Sequence, residues 1–187
     1  LSTTPVVLGP GDVFLNVDFG YQPDPSTPLG SIGDTVWLDV DASSDDQSNQ
    51  GAEPGIPGVS VSLIADLNGD GFWDAGEPII ATDITDENGN YLFTDLPLND
   101  GDGDADYIIW VNDTADVLDG LVQTYDLDGF LDDMSATELD TGFPNDLDQD
   151  FSYTPVGNVP GQGLIGDTVW LDVNGDGNQD AGEPGIA

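Results

Sequence analysis

Thirty-eight carboxylates and not one Lys, Arg or His constrain this chain more than any other feature. Over 187 residues the formal net charge is −38. No ion pair between side chains can form, so every carboxylate must be solvated, hydrogen-bonded or held by a bound cation. Two like charges about 4 Å apart repel by ~1 kcal/mol even at the dielectric of water, and by more when partly buried. A count along the chain gives 33 Asp among the 38, and Asp favours turns and short loops over helices. Clustered Asp without cations works against folding.

The same absence removes whole classes of function. A polyanion without cationic side chains cannot neutralise phosphates, which excludes nucleic acid and anionic membrane surfaces as partners. No stretch approaches the ~20 apolar residues of a membrane-spanning helix, so no membrane insertion is expected. The opening LSTTPVVLGP has no basic leader region and reads as a mature or truncated start. Without His, Cys, Lys or Arg, nucleophilic triads, zinc sites, Schiff bases and phosphate clamps are unavailable. Carboxylate-pair chemistry of the glycosidase kind remains, but the loop spacing of the acids matches metal ligation better, and no enzyme is expected.

That spacing is specific. In DLNGDGFWDAGEP, residues 66–78, Asp66, Asn68, Asp70, Gly71, Asp74 and Glu77 occupy positions 1, 3, 5, 6, 9 and 12 of a calcium-loop pattern. Alternate oxygen donors would curl round a hard cation. Phe72 would offer its backbone carbonyl, and Glu77 would close the shell with two oxygens. A polar Asp/Gly turn is the plain alternative, but the pattern recurs in DVNGDGNQDAGEP, residues 172–184. There the ligand positions fall on Asp172, Asn174, Asp176, Asn178, Asp180 and Glu183. A looser site is expected in DVDASSDDQSNQGAEPG, residues 39–55, which is three residues longer than its later counterpart at 172–185. Asp39, Asp41 and Glu53 keep the opening and closing acids, the glycine at position six is lost, and Asp34 could join. Asp100, Asp102, Asp104 and Asp106 alternate with Gly or Ala, and Asp126, Asp128, Asp132 and Asp133 cluster in YDLDGFLDD. Both are further calcium candidates against a reading as solvated acidic loops. Asn112 in NDT is an N-glycosylation sequon.

Self-comparison shows a repeat. IGDTVWLDV occurs at 32–40 and identically at 165–173, and LNVDFGYQP at 15–23 parallels LDQDFSYTP at 147–155. Each of the latter pair leads into a Pro/Gly/Ser linker. Residues 1–23 therefore read as the end of one repeat, 24–31 as linker, 32–155 as a complete repeat, 156–163 as linker, and 164–187 as the start of the next. Within the complete repeat, strands are expected at 34–40, 59–65, 78–84, 89–96, 107–113, 121–126 and 147–154, with no helical period. This is an all-β chain, an immunoglobulin-like β-sandwich repeated in tandem. Val36, Leu38, Val59, Val61 and Leu63 are expected inward. Trp37 and Trp170 are expected to pack rather than present a sugar platform.

IGDTVWLDV…EPGIPGVSVSL (32–63), TDENGNYLFTDLP (85–97), TYDLDGFLDD (124–133) and VDFGY (17–21) resemble the B-repeats of serine-aspartate repeat surface adhesins, within the wider collagen-adhesin B-like group. The resemblance implies a calcium-binding sandwich strung in tandem as a rod outside a cell. Many relatives lock the fold with a Lys–Asn isopeptide bond, which this lysine-free chain cannot make, so calcium is the staple left to it. The segment after LP, normally a short turn in the family, is expanded here to LNDGDGDAD, residues 98–106.

The expected function is an extracellular or cell-surface structural repeat that forms a rigid stalk or filament stabilised by several Ca2+ per repeat. Its partners would be neighbouring identical repeats or protomers, head to tail, with the strand from Asp12 to Pro23 pairing across the junction in the non-covalent case. The alternatives are an adhesin module that itself grips a protein or glycan, and acidity that only adapts the surface to salt.

Overall fold

The computed structural model describes residues 28–43, 53–98, 105–161, 169–177 and 185. Nine strands run through them: β1 Leu29–Leu38, β2 Ser60–Ala65, β3 Ile79–Ile84, β4 Asn90–Pro97, β5 Tyr107–Val111, β6 Leu121–Asp126, β7 Met134–Thr137, β8 Asn145–Asp146 and β9 Phe151–Pro155. The described residues contain no helix long and apolar enough to cross a membrane. The strands form two sheets, one ordered β4-β1-β9-β6 with β8 also on β1, the other β3-β2-β5-β7. This is an immunoglobulin-like β-sandwich.

Alternation builds the core. In β4, Tyr91, Phe93 and Leu96 point inward between exposed neighbours. They meet Val59, Val61 and Leu63 of the β2 side, Ile109 and Val111 of β5, and Phe151 and Tyr153 of β9 in one cluster. Val36, Val59, Val61 and Leu63 are fully buried as expected, while Leu38 packs against the cluster only partly buried. Truncating such a side chain to Ala costs ~2–5 kcal/mol. Trp37 is buried, with its ring 5.5 Å from that of Tyr125, as packing rather than a platform requires.

Some strand limits differ from the sequence reading. β1 begins at Leu29, well before residue 34, because its glycines serve close approach rather than flexibility. A Cβ on Gly30 would lie 2.2 Å from the Pro144 carbonyl oxygen, and one on Gly33 2.3 Å from that of Tyr91. β5 stops at Val111, since the Asn112 and Asp113 N–H groups turn to the Ser60 carbonyl. β7 and β8 were not expected. They are four and two residues long, too short for any periodicity to register.

The second sheet also buries its outer face. Ile64 and Ile108 are paired across β2 and β5, alternate with inward residues, and are nonetheless fully buried. The loop that follows β2 reaches over the same sheet. Its Trp73 stacks on Trp110 of β5 at 5.3 Å, and its Gly71 lies over Ala136 of β7.

Candidate metal centres

The loop at 66–77 is wound round its first residue. Asp66 Oδ1 accepts the N–H of Asn68 at 3.2 Å and of Gly69 at 2.8 Å, while Oδ2 accepts that of Gly71 at 2.7 Å. Gly69 and Gly71 both need positive φ, +73° and +77°, which glycine reaches without steric cost. Asn68 Oδ1 accepts the Asp70 N–H at 3.2 Å, and the Asn68 amide donates to Asp70 and Asp74 at 3.1 Å each. Phe72 donates its N–H to Asp70. Glu77 closes the loop on two amides, accepting from Leu67 at 3.0 Å and from Asp74 at 2.8 Å.

The same wiring recurs in the other two loops. At 172–177, Asp172 accepts from Gly175 and Gly177, and Asn174 Oδ1 accepts from Asp176 at 3.0 Å. The two glycines again take positive φ, +76° and +81°. Asn178, Asp180 and Glu183 lie outside the described residues, as do Asp100, Asp102 and Asp104. In the longer loop, Asp41 Oδ1 accepts the Ser43 N–H at 3.0 Å, the same fifth-to-third-position bond. Glu53 accepts the Val40 N–H at 2.7 Å, as Glu77 does that of Leu67. Ala42 even adopts the positive φ, +54°, that Gly69 and Gly175 adopt at the equivalent position. Antiparallel bridges Trp37–Gly55 and Trp170–Gly185 bracket the 39–53 loop and its later counterpart alike.

Among the described residues, Asp39, Asp41 and Glu53 are the acids that present three carboxylate oxygens all within 4.8 Å of one another. Asp39 is buried, Glu53 half-buried and Asp41 exposed. Glu53 also accepts the Trp37 indole N–H at 3.1 Å, tying the cluster to the core. The 66–77 loop, the clearer pattern in sequence, does not gather three carboxylates so tightly. Its first acid is wrapped by backbone amides, and the Asn68 amide lies between Asp70 and Asp74.

A second acidic centre lies where β6 ends. Asp126 is 3% exposed; its Oδ2 accepts from the Gln123 amide at 2.9 Å, and its Oδ1 is buried without a hydrogen-bond partner among the described residues. Burial, then the nearby Asp128 charge, pushes the Asp126 carboxyl up to about 8. Burial also raises Asp128, and Asp132 adds to the rise. Asp133 beside them accepts the Tyr153 hydroxyl at 2.7 Å. Asp34 sits inside β1, bonded by the Thr35 hydroxyl. Burial raises its carboxyl, with Asp148 as the charged neighbour. Asn112 donates its amide to Ser62 and is half-buried.

The donor chemistry at these centres fits a hard divalent cation: carboxylate and amide oxygens, in a chain with no His or Cys. The orphaned Asp126 oxygen fits too, since a buried acceptor without a donor is costly.

A family profile described as the SdrD B-like domain matches residues 30–153. Over 180 residues, 91% of the chain, the sequence is 32% identical to serine-aspartate repeat-containing protein D of Staphylococcus aureus (strain Newman). Over 192 aligned positions, 99% of the chain, it is 33% identical to serine-aspartate repeat-containing protein E of Staphylococcus aureus (strain USA300). The matches span 11% and 14% of those proteins.

Proposed function

The chain belongs to the SdrD B-like domain family, and from that premise we propose that it is a calcium-stabilised structural repeat of an extracellular or cell-surface stalk or filament. One observation carries this reading. Three carboxylates, Asp39, Asp41 and Glu53, converge within 4.8 Å in a chain that has no cationic side chain to neutralise them. Asp66, Asn68, Asp70, Asp74, Glu77 and the Phe72 carbonyl would hold a second ion, and Asp126, Asp128 and Asp132 a third. The loop that opens at Asp172 would repeat the first site in the following unit. A bound ion supplies the positive charge that turns mutual repulsion within each loop into attraction.

The tandem reading, with the complete repeat at 32–155, supports a stalk in which identical units follow head to tail. Calcium at extracellular concentrations suits loops of this kind. Isothermal titration calorimetry tests the assignment. The chain should take up more than one Ca2+, and Glu53→Gln should remove one ion from the stoichiometry while leaving the others. A chain that binds no Ca2+ at millimolar concentration ends the reading.

A second reading, an adhesin module that grips a ligand itself, has one observation in its favour. An open groove of about 620 Å³ lies among β5, β6 and β9, lined by Trp110, Leu118, Leu121, Leu131 and Tyr153.

A further inference from the structure

We propose that Asn158 is a latch coupling the Asp39–Asp41–Glu53 loop to the linker that leaves the repeat, so that a cation held in the loop stiffens the junction with the next repeat. The inference rests on the calcium reading above and assigns that ion a second task.

The chain leaves the sandwich at the end of β9, beside this loop. The Asp39 N–H donates to the Tyr153 carbonyl at 2.8 Å, and the Thr154 hydroxyl donates to the Asp39 carbonyl at 2.7 Å. Three residues past β9, the Asn158 amide donates to the Val40 carbonyl and to the Thr154 hydroxyl oxygen, both at 2.9 Å. Val40 therefore stands between two partners. Its N–H is held by the Glu53 carboxylate and its carbonyl by the linker. A bond path of one residue joins the closing acid of the metal loop to Asn158.

Among the described residues, little else fixes the linker. Val156 is 65% exposed and Val159 43%, so apolar burial does not orient it. Besides Asn158, the linker is tied by the Val156 N–H to the Gly120 carbonyl and by the local turn bond from the Asn158 N–H to Pro155. Three carboxylates within 4.8 Å repel one another when no cation binds them, and the loop relaxes by opening. Opening moves Val40 and takes away the acceptor for Asn158. A bound cation draws the acids together, sets the Val40 carbonyl and closes the latch. Such coupling is reciprocal: whatever factor calcium adds to linker docking, docking adds to calcium affinity.

Amide hydrogen exchange on the full chain tests this, with calorimetry of Ca2+ on the same samples. In the wild type, Ca2+ should slow exchange in residues 39–43 and also at Val156 and Asn158. In Asn158→Ala, Ca2+ should still protect 39–43 but leave the linker at its chelated rate, with a matching fall in affinity and an unchanged melt in chelator. Linker protection that survives in the variant overturns the latch alone. So does a wild type in which bound Ca2+ protects the loop and not the linker. A loop that takes up no Ca2+ overturns the latch and the calcium reading together.

Discussion

Burial and two acidic neighbours hold the Asp126 carboxyl near pKa 8, far above the 3.8 of an unfolded chain. The folded state therefore binds a proton that the unfolded state has lost, and stability falls as pH rises from about 4 to about 8. A cation that ligates Asp126 removes that dependence by taking the place of the proton. In chelator, melting temperature should drop across this window, and Asp126→Asn should flatten the slope. In Ca2+ the wild-type slope should largely vanish. Thermal melts at constant ionic strength, from pH 4 to 8, measure all three. Elsewhere the acids are accommodated by the backbone. Asp113 accepts the N–H groups of Val117 and Leu118, Asp140 those of Gly142 and Phe143, and the buried Asp150 that of Thr35. Asp86 is held below its ordinary value by the amides of Asn90 and Asn88. The short Asp side chain reaches nearby amides where Glu would overshoot, which accounts for the dominance of Asp over Glu.

At the scale of elements, the candidate metal loop after β2 also lies across the second sheet. Trp73 stacks on Trp110 and Gly71 lies over Ala136, next to the buried Ile64 and Ile108 pair of the second sheet. If this loop holds a cation as proposed, cation binding and burial of this small second core are linked. A double-mutant cycle of Trp73→Ala and Trp110→Ala should give a coupling of ~0.5–1.5 kcal/mol in Ca2+. It should shrink in chelator, where the loop is less ordered; an equal coupling in both would separate stack from ion. Much of this was legible in the sequence. Alternation exposed the long strands, and the twelve-residue spacing exposed two loops whose wiring the longer 39–53 loop partly repeats. The stack was not legible, because Trp73 sits inside a metal pattern and Trp110 inside a strand that reads as core. The short β7 and β8 lacked a period. The 39–53 loop looked degenerate for want of its glycine at position six, yet Ala42 takes the positive φ of position four and Glu53 makes the closing bond. Only the three-dimensional wiring reveals that equivalence.

For the whole molecule, a net charge of −38 leaves two ways to stay folded: screening by salt or neutralisation by specific ions. They differ in what they require. Screening acts on any exposed charge and works with monovalent salt. Specific ions would act through the convergent oxygens of Asp39, Asp41 and Glu53 and through the buried Asp126. At ~100 times its dissociation constant each ion adds about 2.7 kcal/mol, so two sites would raise the melting temperature of a sandwich this size by on the order of 20 °C. The central claim is that divalent ions do the work of the absent cationic side chains. Differential scanning calorimetry in Ca2+, and in chelator with NaCl at matched ionic strength, tests it most directly. The account predicts a large fall in melting temperature on chelation that NaCl does not restore; an unchanged melt, or full rescue by NaCl alone, would contradict it.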